Sequence, residues 1–399
     1  KKMREGGLYD QIGYGFHRYS TDIKWIAPHF EKMLYDQAML IHAYLDAYLI
    51  TKDDFYKRVV DEIITYVSRD MKSKEGAFYS AEDADSQGKE GTFYVWTIDE
   101  IYNLFSSEDA ELIIDYYNLN KKGNWPEGRR HGYTNILHVK EDTTLFIEKY
   151  SLNLDLFNKK IKNINTILFN VREKRVHPQK DDKILTDWNG MMISAIARAA
   201  RIFDNDTYGN YAIEAMDFVL NNLKNDDGKL LKRYRNGNAG LDGVLDDYAY
   251  VVWGLIELYQ YNFDLKYLEE SILLSDYQVE HFWDKEKGGF FFTSDMSEEL
   301  LVRSKEIYDG AIPSGNSVST NNFIKLGRIL SNVEYEDLSN RLLESFGSKI
   351  NRYGPAYAQN LVAIDFIEGP SYEIILIGND SDKIKSILQE INSFEHDRK

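Results

Sequence analysis

Apolar residues recur along this chain at intervals of three and four, the period that lays them on one face of a helix. Phe30, Met33, Leu34, Ala38, Ile41, Leu45 and Tyr48 keep that period over 29–50, and Phe55, Val59, Ile63, Tyr66 and Val67 keep it over 54–71. The same reasoning predicts helices over 97–105, 108–118, 153–175, 187–204, 208–223, 247–263, 266–283, 315–330, 334–350 and 356–367. Residues 1–28 read as a loop with extended pieces, and 120–138 as irregular chain around Trp125-Pro126-Glu127-Gly128. The Gly- and Asn-rich stretch 225–245 and the stretch 288–304 read as β-hairpins. The run Glu373-Ile374-Ile375-Leu376-Ile377-Gly378 reads as a buried strand, with a helix following over 381–392.

A longer period lies over the short one. Amphipathic helical hairpins are followed by Gly- and aromatic-rich loops: Gly6-Gly7-Leu8-Tyr9, Gly76-Ala77-Phe78-Tyr79 and Gly288-Gly289-Phe290-Phe291. Helices resume at Pro28-His29-Phe30, Asp187-Trp188-Asn189-Gly190, Asp246-Asp247-Tyr248 and Ser314-Gly315-Asn316. The last three starts lie roughly 60 to 70 residues apart, a long period for a helical repeat. A helix pair that cannot bury its apolar face alone stacks on its neighbours, in an open array or a closed toroid. The pattern predicts an all-α fold of about five helical hairpins, an open array or a closed α/α toroid that would need one hairpin more, with short β-hairpins on one rim. It divides the chain into a toroid domain, 1–368, and a strand–helix extension, 369–399. The rim loops of a toroid converge on a central cavity, so polar loop residues gather where a ligand would sit.

Composition narrows the function. The 399 residues, 43% hydrophobic, are enough for a sizeable core, and the net charge of −17 argues against nucleic acid or an anionic membrane as partner. With no cysteine there is no disulfide, thiolate nucleophile or Cys-ligated metal, which suits a cytoplasmic protein. No apolar run approaches the roughly 18 residues that span a bilayer, and no signal peptide is visible. The opening Lys1-Lys2-Met3-Arg4 reads as chain that begins inside a larger protein. The 29 tyrosines and six tryptophans suit a cavity that is apolar in body and wet at its edge.

Four constellations carry candidate chemistry. The first is Asp10, His17, Arg18, His29, Glu31, Lys32, Tyr35 and Asp36, in which His29, Lys32 and Asp36 have the spacing of one helical face. His17 and His29 are suited to proton transfer near neutral pH; the competing reading is a buried polar network that fixes loop 6–28. The second is Glu82-Asp83-Ala84-Asp85-Ser86-Gln87-Gly88, whose carboxylates repel unless a cation, an Arg or a shared proton relieves them. It matches the opening of a calcium loop, but Tyr94 stands where the bidentate Glu belongs, which excludes an EF-hand. Another cation site, a carboxylate acid or base, and a solvated or Arg-paired turn remain as readings; the prediction takes no metal and no cofactor.

The third constellation is Asp187-Trp188-Asn189-Gly190 with Asp246-Asp247-Tyr248. Capping explains Asp187 and one of Asp246 and Asp247. Trp188 and Asn189 add a stacking face and an amide, as a sugar ring requires; Trp125 and Trp96 offer the same face, with core packing as the alternative. The fourth is Lys305-Glu306, Tyr308-Asp309-Gly310 and Pro313-Ser314-Gly315-Asn316, where Ser314 reads as an N-cap and free backbone N–H groups suit an anion or hydroxyl. G-x-S-x-G, H-E-x-x-H and G-x-G-x-x-G motifs are absent.

Several ordered motifs covering nearly the whole chain carry a resemblance. They are Gly6-Gly7-Leu8-Tyr9-Asp10-Gln11-Ile12-Gly13, Gly15-Phe16-His17-Arg18-Tyr19-Ser20, Pro28-His29-Phe30-Glu31-Lys32-Met33-Leu34-Tyr35-Asp36, Tyr79-Ser80-Ala81-Glu82-Asp83-Ala84-Asp85-Ser86, Thr186-Asp187-Trp188-Asn189-Gly190 and Asp309-Gly310-Ala311-Ile312-Pro313-Ser314-Gly315-Asn316-Ser317. Together they resemble the spermatogenesis-associated, thioredoxin-domain-containing (YyaL-type) proteins. The resemblance implies a toroid of the six-hairpin glycosidase type, similar to N-acylglucosamine 2-epimerases. It also implies a thioredoxin-like domain and a first hairpin ahead of residue 1, so a thioredoxin-like domain of the same protein is an expected partner.

The functional expectation is a carbohydrate-active cavity for a small sugar or glycoside. Glycoside hydrolysis needs two carboxyl groups about 5 to 9 Å apart. Glu82, Asp83, His29, His17 and Asp247 are the candidate catalytic residues; Asp36, Trp188, Asn189, Tyr248, Asn316 and Trp125 are the candidate substrate-binding residues. Two alternatives stand beside it. One is a sugar 2-epimerase or isomerase using His as acid and base, weakened by the lack of His at the later helix starts. The other is a non-catalytic binding or scaffold module serving the thioredoxin-like domain.

Overall fold

A computed structural model of the chain describes residues 1–139, 143–298, 301–369, 372 and 374–393. The chain is mostly helical, and its long helices fall where the apolar period places them: Leu34–Thr51, Asp54–Tyr66, Ile98–Leu104, Ser107–Tyr116, Leu154–Arg172, Thr186–Phe203, Asp206–Asn222, Leu245–Asn262, Leu265–Phe282, Gly315–Leu330, Val333–Arg352, Ala358–Glu368 and Ser381–Ser393. The short helices Lys2–Glu5, Pro126–Arg130 and Thr143–Lys149 lie outside the segments that the period marks.

Three expectations give way. The first long helix begins at Leu34, not 29: Pro28–His29 pairs with Tyr19–Ser20, and Lys32–Met33 pairs with Ala81–Glu82. His29, Lys32 and Asp36 therefore do not share a helical face. Long-range pairing overrides the local period there. No paired hairpin forms over 288–304 among the described residues, which leave out 299 and 300; Phe290 instead makes a single antiparallel bridge to Trp283. The Ile374–Gly378 run is neither paired nor buried, with Ile375 80% and Ile377 94% exposed, and Glu373 lies outside the described residues.

The described residues form two compact units. One comprises 1–37, 61–71 and 81–181; the other comprises 38–60, 72–80 and 182–399. In the first, Ile12, Trp96, Ile113, Leu137, Phe157 and Leu168 make one buried cluster and Phe30, Phe93, Tyr94, Trp125 and Ile136 another. Arg175 ties the segment between them, donating from Nη1 to the carbonyls of Phe93 and Val95 at 2.8 Å with its guanidinium over the Trp96 ring. A small antiparallel sheet joins Lys32–Met33, Ala81–Glu82 and Lys180–Asp181.

In the second unit three hairpins stand side by side, Thr186–Phe203 with Asp206–Asn222, Leu245–Asn262 with Leu265–Phe282, and Gly315–Leu330 with Val333–Arg352. The first helix of each forms an inner row, with Leu245–Asn262 packed between the other two. Inner helices are buried nearly all round and outer ones on one face, the distinction expected of core and surface helices. The hairpin turns repeat: a residue in the left-handed region (Asp204, Phe263, Ser331) precedes an N-cap (Asn205, Asp264, Asn332) whose side chain accepts from the new helix.

Inner helices Thr186–Phe203 and Leu245–Asn262 approach closely where Gly190 meets backbone. A Cβ on Gly190 would stand 2.6 Å from the Tyr250 carbonyl carbon and 2.7 Å from Val251 N. Gly190→Ala is therefore expected to destabilise the protein by about 1–3 kcal/mol through overpacking, although alanine is the better helix former by about 1 kcal/mol. Urea denaturation reads the sign; a gain in stability would refute the close-packing account.

A loop module recurs at four places. The backbone N–H of Asp10, Ser73, Asn225 and Asp284 donates to the carbonyl of Gly15, Ala77, Lys229 and Gly289. The following residue, Phe16, Phe78, Leu230 or Phe290, then bridges back to Tyr9, Lys72, Lys224 or Trp283. These are the Gly- and aromatic-rich loops of the sequence, with Leu230 as a fourth copy that carries no aromatic.

Candidate functional site

In the first unit the polar residues of loop 6–28 are buried among cations. Asp10 Oδ1 accepts from Arg172 Nη1 at 2.7 Å and from the backbone of Ile12 and Gly13 at 3.0 Å, while Oδ2 accepts from Lys32 Nζ at 2.8 Å. Burial alone would raise the Asp10 pKa; Arg172 and Lys32 outweigh it and hold the carboxyl well below the usual range. Lys32 also lies over the rings of Tyr66 and Tyr94. His17 donates through Nδ1 to the Phe30 carbonyl at 2.9 Å and packs edge-on against Phe30 and Tyr94. Burial and the charge of Lys32 push its pKa down to about 3, so the imidazole stays neutral.

The carboxylate turn alternates as a strand does. Glu82 points inward and accepts from the Tyr66 hydroxyl at 2.7 Å, with Lys180 at 3.8 Å; Asp83 and Asp85 point to solvent. Asp83 Oδ1 accepts from the Asp85 N–H at 3.1 Å. Gln87 and Gly88 both take positive φ and close the two-residue turn between Asp85–Ser86 and Lys89–Glu90. This hairpin chemistry accounts for the residues that resemble a calcium loop.

Glu90, beyond that turn, accepts from His29 Nδ1 at 2.7 Å, and Glu31 faces His29 Nε2 at 3.1 Å. Arg18 joins Glu31 at 2.9 Å and the Tyr35 hydroxyl at 3.1 Å. Asp36 sits at the end of this chain of groups with Oδ2 lacking a hydrogen-bond partner among the described residues. Its pKa rises to about 7, chiefly through burial, with Arg18 opposing and Glu31 adding. Trp125 is core: it packs edge-on to Phe30 and donates from Nε1 to Thr134 Oγ1 at 3.4 Å.

In the second unit three of the expected substrate-binding residues hold loops instead. Asn189 Oδ1 accepts from Phe78 N–H at 2.8 Å, and its Nδ2 donates to the carbonyls of Phe78 and Leu185 at 2.9 Å. Asn316 repeats the clamp on Phe290, at 2.8 and 2.9 Å, and donates to the Glu306 carbonyl at 2.7 Å. The Tyr248 hydroxyl accepts from Leu230 N–H at 2.9 Å. Gln37 grips Phe16 in the first unit in the same way, at 2.9 and 2.7 Å. Asn189→Ala strands a buried N–H and carbonyl of Phe78 at about 1–3 kcal/mol each. A loss of about 2–6 kcal/mol is expected in a chemical-denaturation titration. A change below about 1 kcal/mol, within the range of an ordinary hydrogen bond, would mean that the clamp is not structural.

The same unit sets two carboxylates on one lysine, with a third within reach of its charge. Lys232, on the strand Leu231–Arg235, donates to Asp187 Oδ2 at 2.6 Å and to Asp247 Oδ1 at 3.2 Å. Asp247 is fully buried and its oxygens also accept from the N–H of Asp187 at 3.0 Å and of Val244 at 2.8 Å. Burial raises its pKa, Lys232 opposes and Asp187 adds to the rise. Asp246, one residue earlier and turned about 100° around the helix, is only partly buried. Its Oδ1 accepts from Gly315 N–H at 2.9 Å. Burial, then the charge of Asp187, push its pKa up to about 6 against the pull of Lys232 and the Gly315 bond. The starts of three inner helices thus meet at Asp246. Trp188, beside Asp187, is also partly buried.

No family model matches the chain. It is 34% identical to human spermatogenesis-associated protein 20 over 98% of its own length and 54% of the human protein, and 33% identical to the rat protein of that name over the same shares. The chain is a homologue of these proteins. It spans about half the length of the curated relatives it matches. Among solved structures it is similar to a GH76 α-mannanase from Bacteroides thetaiotaomicron (12% identity, TM-score 0.49, 91% of this chain and 73% of that one). It is also similar to a cellobiose 2-epimerase from Bacillus thermoamylovorans (11% identity, TM-score 0.48, 91% and 68%). None of the described helices is long and apolar enough to cross a membrane.

Of the residues around Asp247, none of Asp187, Asp246 and Lys232 is among the catalytic or substrate-binding candidates read from the sequence. Asp246 was visible as one of two helix-start carboxylates, without a sign of which one keeps partial exposure. Lys232 lies in a hairpin remote from both partners, and nothing local marks it.

Proposed function

We propose that the second unit carries a carbohydrate-active site in which Asp246 exchanges a proton with a sugar oxygen. The carrying observation is the pairing of Asp187 and Asp247 with Lys232 at the inner-helix starts, with Asp246 beside them on the Gly315 N–H and within reach of their charges. Two of these carboxylates are committed: Asp247 to backbone and Lys232, Asp187 to Lys232. Asp246 keeps the exposure and the raised pKa that a general acid needs near neutral pH. Trp188 supplies the stacking face for the ring. Glu306, exposed and close enough for its charge to raise the Asp246 pKa, is the second carboxylate that glycoside hydrolysis requires.

In this reading Asp246 protonates the departing glycosidic oxygen while Glu306 either takes a proton from the water that bonds to the anomeric carbon or bonds to that carbon itself, in which case water later displaces it and gives its proton to Asp246. His17, neutral and enclosed, has no acid–base part. Glu82 and Asp83 shape the first unit, one bonded to Tyr66 and the other turning the chain.

A panel of aryl glycosides, disaccharides and free aldoses tests the proposal, read for reducing-end release and for epimer formation. Hydrolysis is expected, falling on the alkaline side of about pH 6 as Asp246 loses its proton. Epimer formation without hydrolysis would replace this reading by the isomerase one. Neither turnover nor binding across the panel would favour the scaffold reading.

A further inference from the structure

A cleft of about 540 Å³ in the second unit is lined by Lys305, Lys349 and Arg352 together with Tyr308, Tyr353 and Tyr357. Among the described residues Glu306 is the only carboxylate on its wall. In a chain of net charge −17, three cations outnumber Glu306 and the Asp284 that pairs with Lys305, which leaves a local positive site, and clefts focus such fields. Lys305 is held by Asp284 at 2.6 Å and by the Gly288 carbonyl at 2.5 Å. Lys349 and Arg352 are exposed and have no carboxylate within ion-pair distance among the described residues. Their place in the last turn of Val333–Arg352 suits the helix dipole, but that does not bring Lys305 and three tyrosines from other segments to the same cleft.

The cleft adjoins the proposed acid. Gly315 N–H binds Asp246, the next residue Asn316 donates to the Glu306 carbonyl at 2.7 Å, and Glu306 lines the cleft. An Arg fork matches a carboxylate or phosphate in two parallel bonds, and Lys adds a point charge. Tyrosine rings give an amphipathic wall for a sugar. We propose that this cleft seats the anionic group, phosphate or carboxylate, of an anionic sugar whose reacting bond lies at Asp246. The inference rests on the reading of Asp246 given above for its second half and on the cleft alone for its first.

Isothermal titration with glucose 6-phosphate, glucuronate, glucose and inorganic phosphate decides it. At least one of the two anionic sugars is expected to bind tenfold or more tighter than glucose, and the stronger arm tells phosphate from carboxylate. The double variant Lys349→Gln/Arg352→Gln, at exposed positions, is expected to erase that advantage while its melting temperature stays within a few degrees of wild type. Equal binding of glucose and both anionic sugars, or anionic-sugar binding untouched in the double variant, would overturn the proposal. So would inorganic phosphate binding as tightly as glucose 6-phosphate, since the sugar would then add nothing. The two readings fail separately. Tight anionic-sugar binding without turnover of any sugar leaves the cleft and removes the acid at Asp246. Turnover of neutral glycosides without anion preference does the reverse.

Discussion

Asp10→Ala is expected to lower the unfolding free energy by about 3–5 kcal/mol, the usual consequence of removing one partner from a buried ion pair. Two cations lose their counter-charge at once, Arg172 at 2.7 Å and Lys32 at 2.8 Å, and both side chains are at most 3% exposed. The N–H groups of Ile12 and Gly13 lose their acceptor as well. The pH dependence follows from the same groups. The folded-state pKa of Asp10 is held below its unfolded value, so the native state binds fewer protons over that interval. Its stabilisation is present in full above the unfolded carboxylate value of about 3.9 and is lost as pH falls below it toward the folded value. The gap between wild type and variant should be constant from about pH 5 upward and narrow under about pH 4. Urea titrations at several pH values measure this. A variant as stable as wild type at neutral pH would show that the triad is not the network that fixes loop 6–28.

That residue marks where the sequence ran out. The helical period found the long helices because an apolar stripe is a local property. Asp10, His17 and Lys32 fitted catalysis and a buried network equally well, and only Arg172, 162 residues away from Asp10, separates the two. His29 and Lys32 kept a helical spacing that strand pairing with Tyr19 and Glu82 annuls. The Gly-aromatic loops were plain in the sequence, but their partners were not: Asn189 and Asn316 have the chemistry of a sugar ligand and use it on Phe78 and Phe290. A single rule would have exposed them, since each lies at the start of the inner helix that receives its loop. Among the acidic helix starts, the choice between Asp246 and Asp247 depends on one step of helix rotation, and Lys232 is supplied by a hairpin that no local pattern connects to them.

Asp246→Asn is the substitution with the largest expected effect on chemistry. Removing a positioned acid or base lowers turnover by about 10²–10⁴-fold. Asparagine keeps an oxygen for the Gly315 N–H, so the meeting of the helix starts survives. It also removes a charge that burial and Asp187 oppose. The sign can be worked out. The folded pKa, about 6, lies above the unfolded carboxylate value, so between the two the native state holds more protons than the unfolded one. Wild-type stability therefore falls as pH rises from about 4 to about 6, and the variant escapes that fall. Asp246→Asn should melt at the same temperature as wild type near pH 4 and at an equal or higher temperature at neutral pH, while its activity is lost. Asp247→Asn is the control: its NH2 group would face either the Val244 N–H or the Lys232 and Asp187 donors, whichever way the amide turns, so it should lose stability instead. Thermal melts and initial rates on the same two proteins separate the roles. If Asp246→Asn keeps more than about a tenth of wild-type turnover, well inside the loss expected of a general acid, Asp246 is not the proton donor.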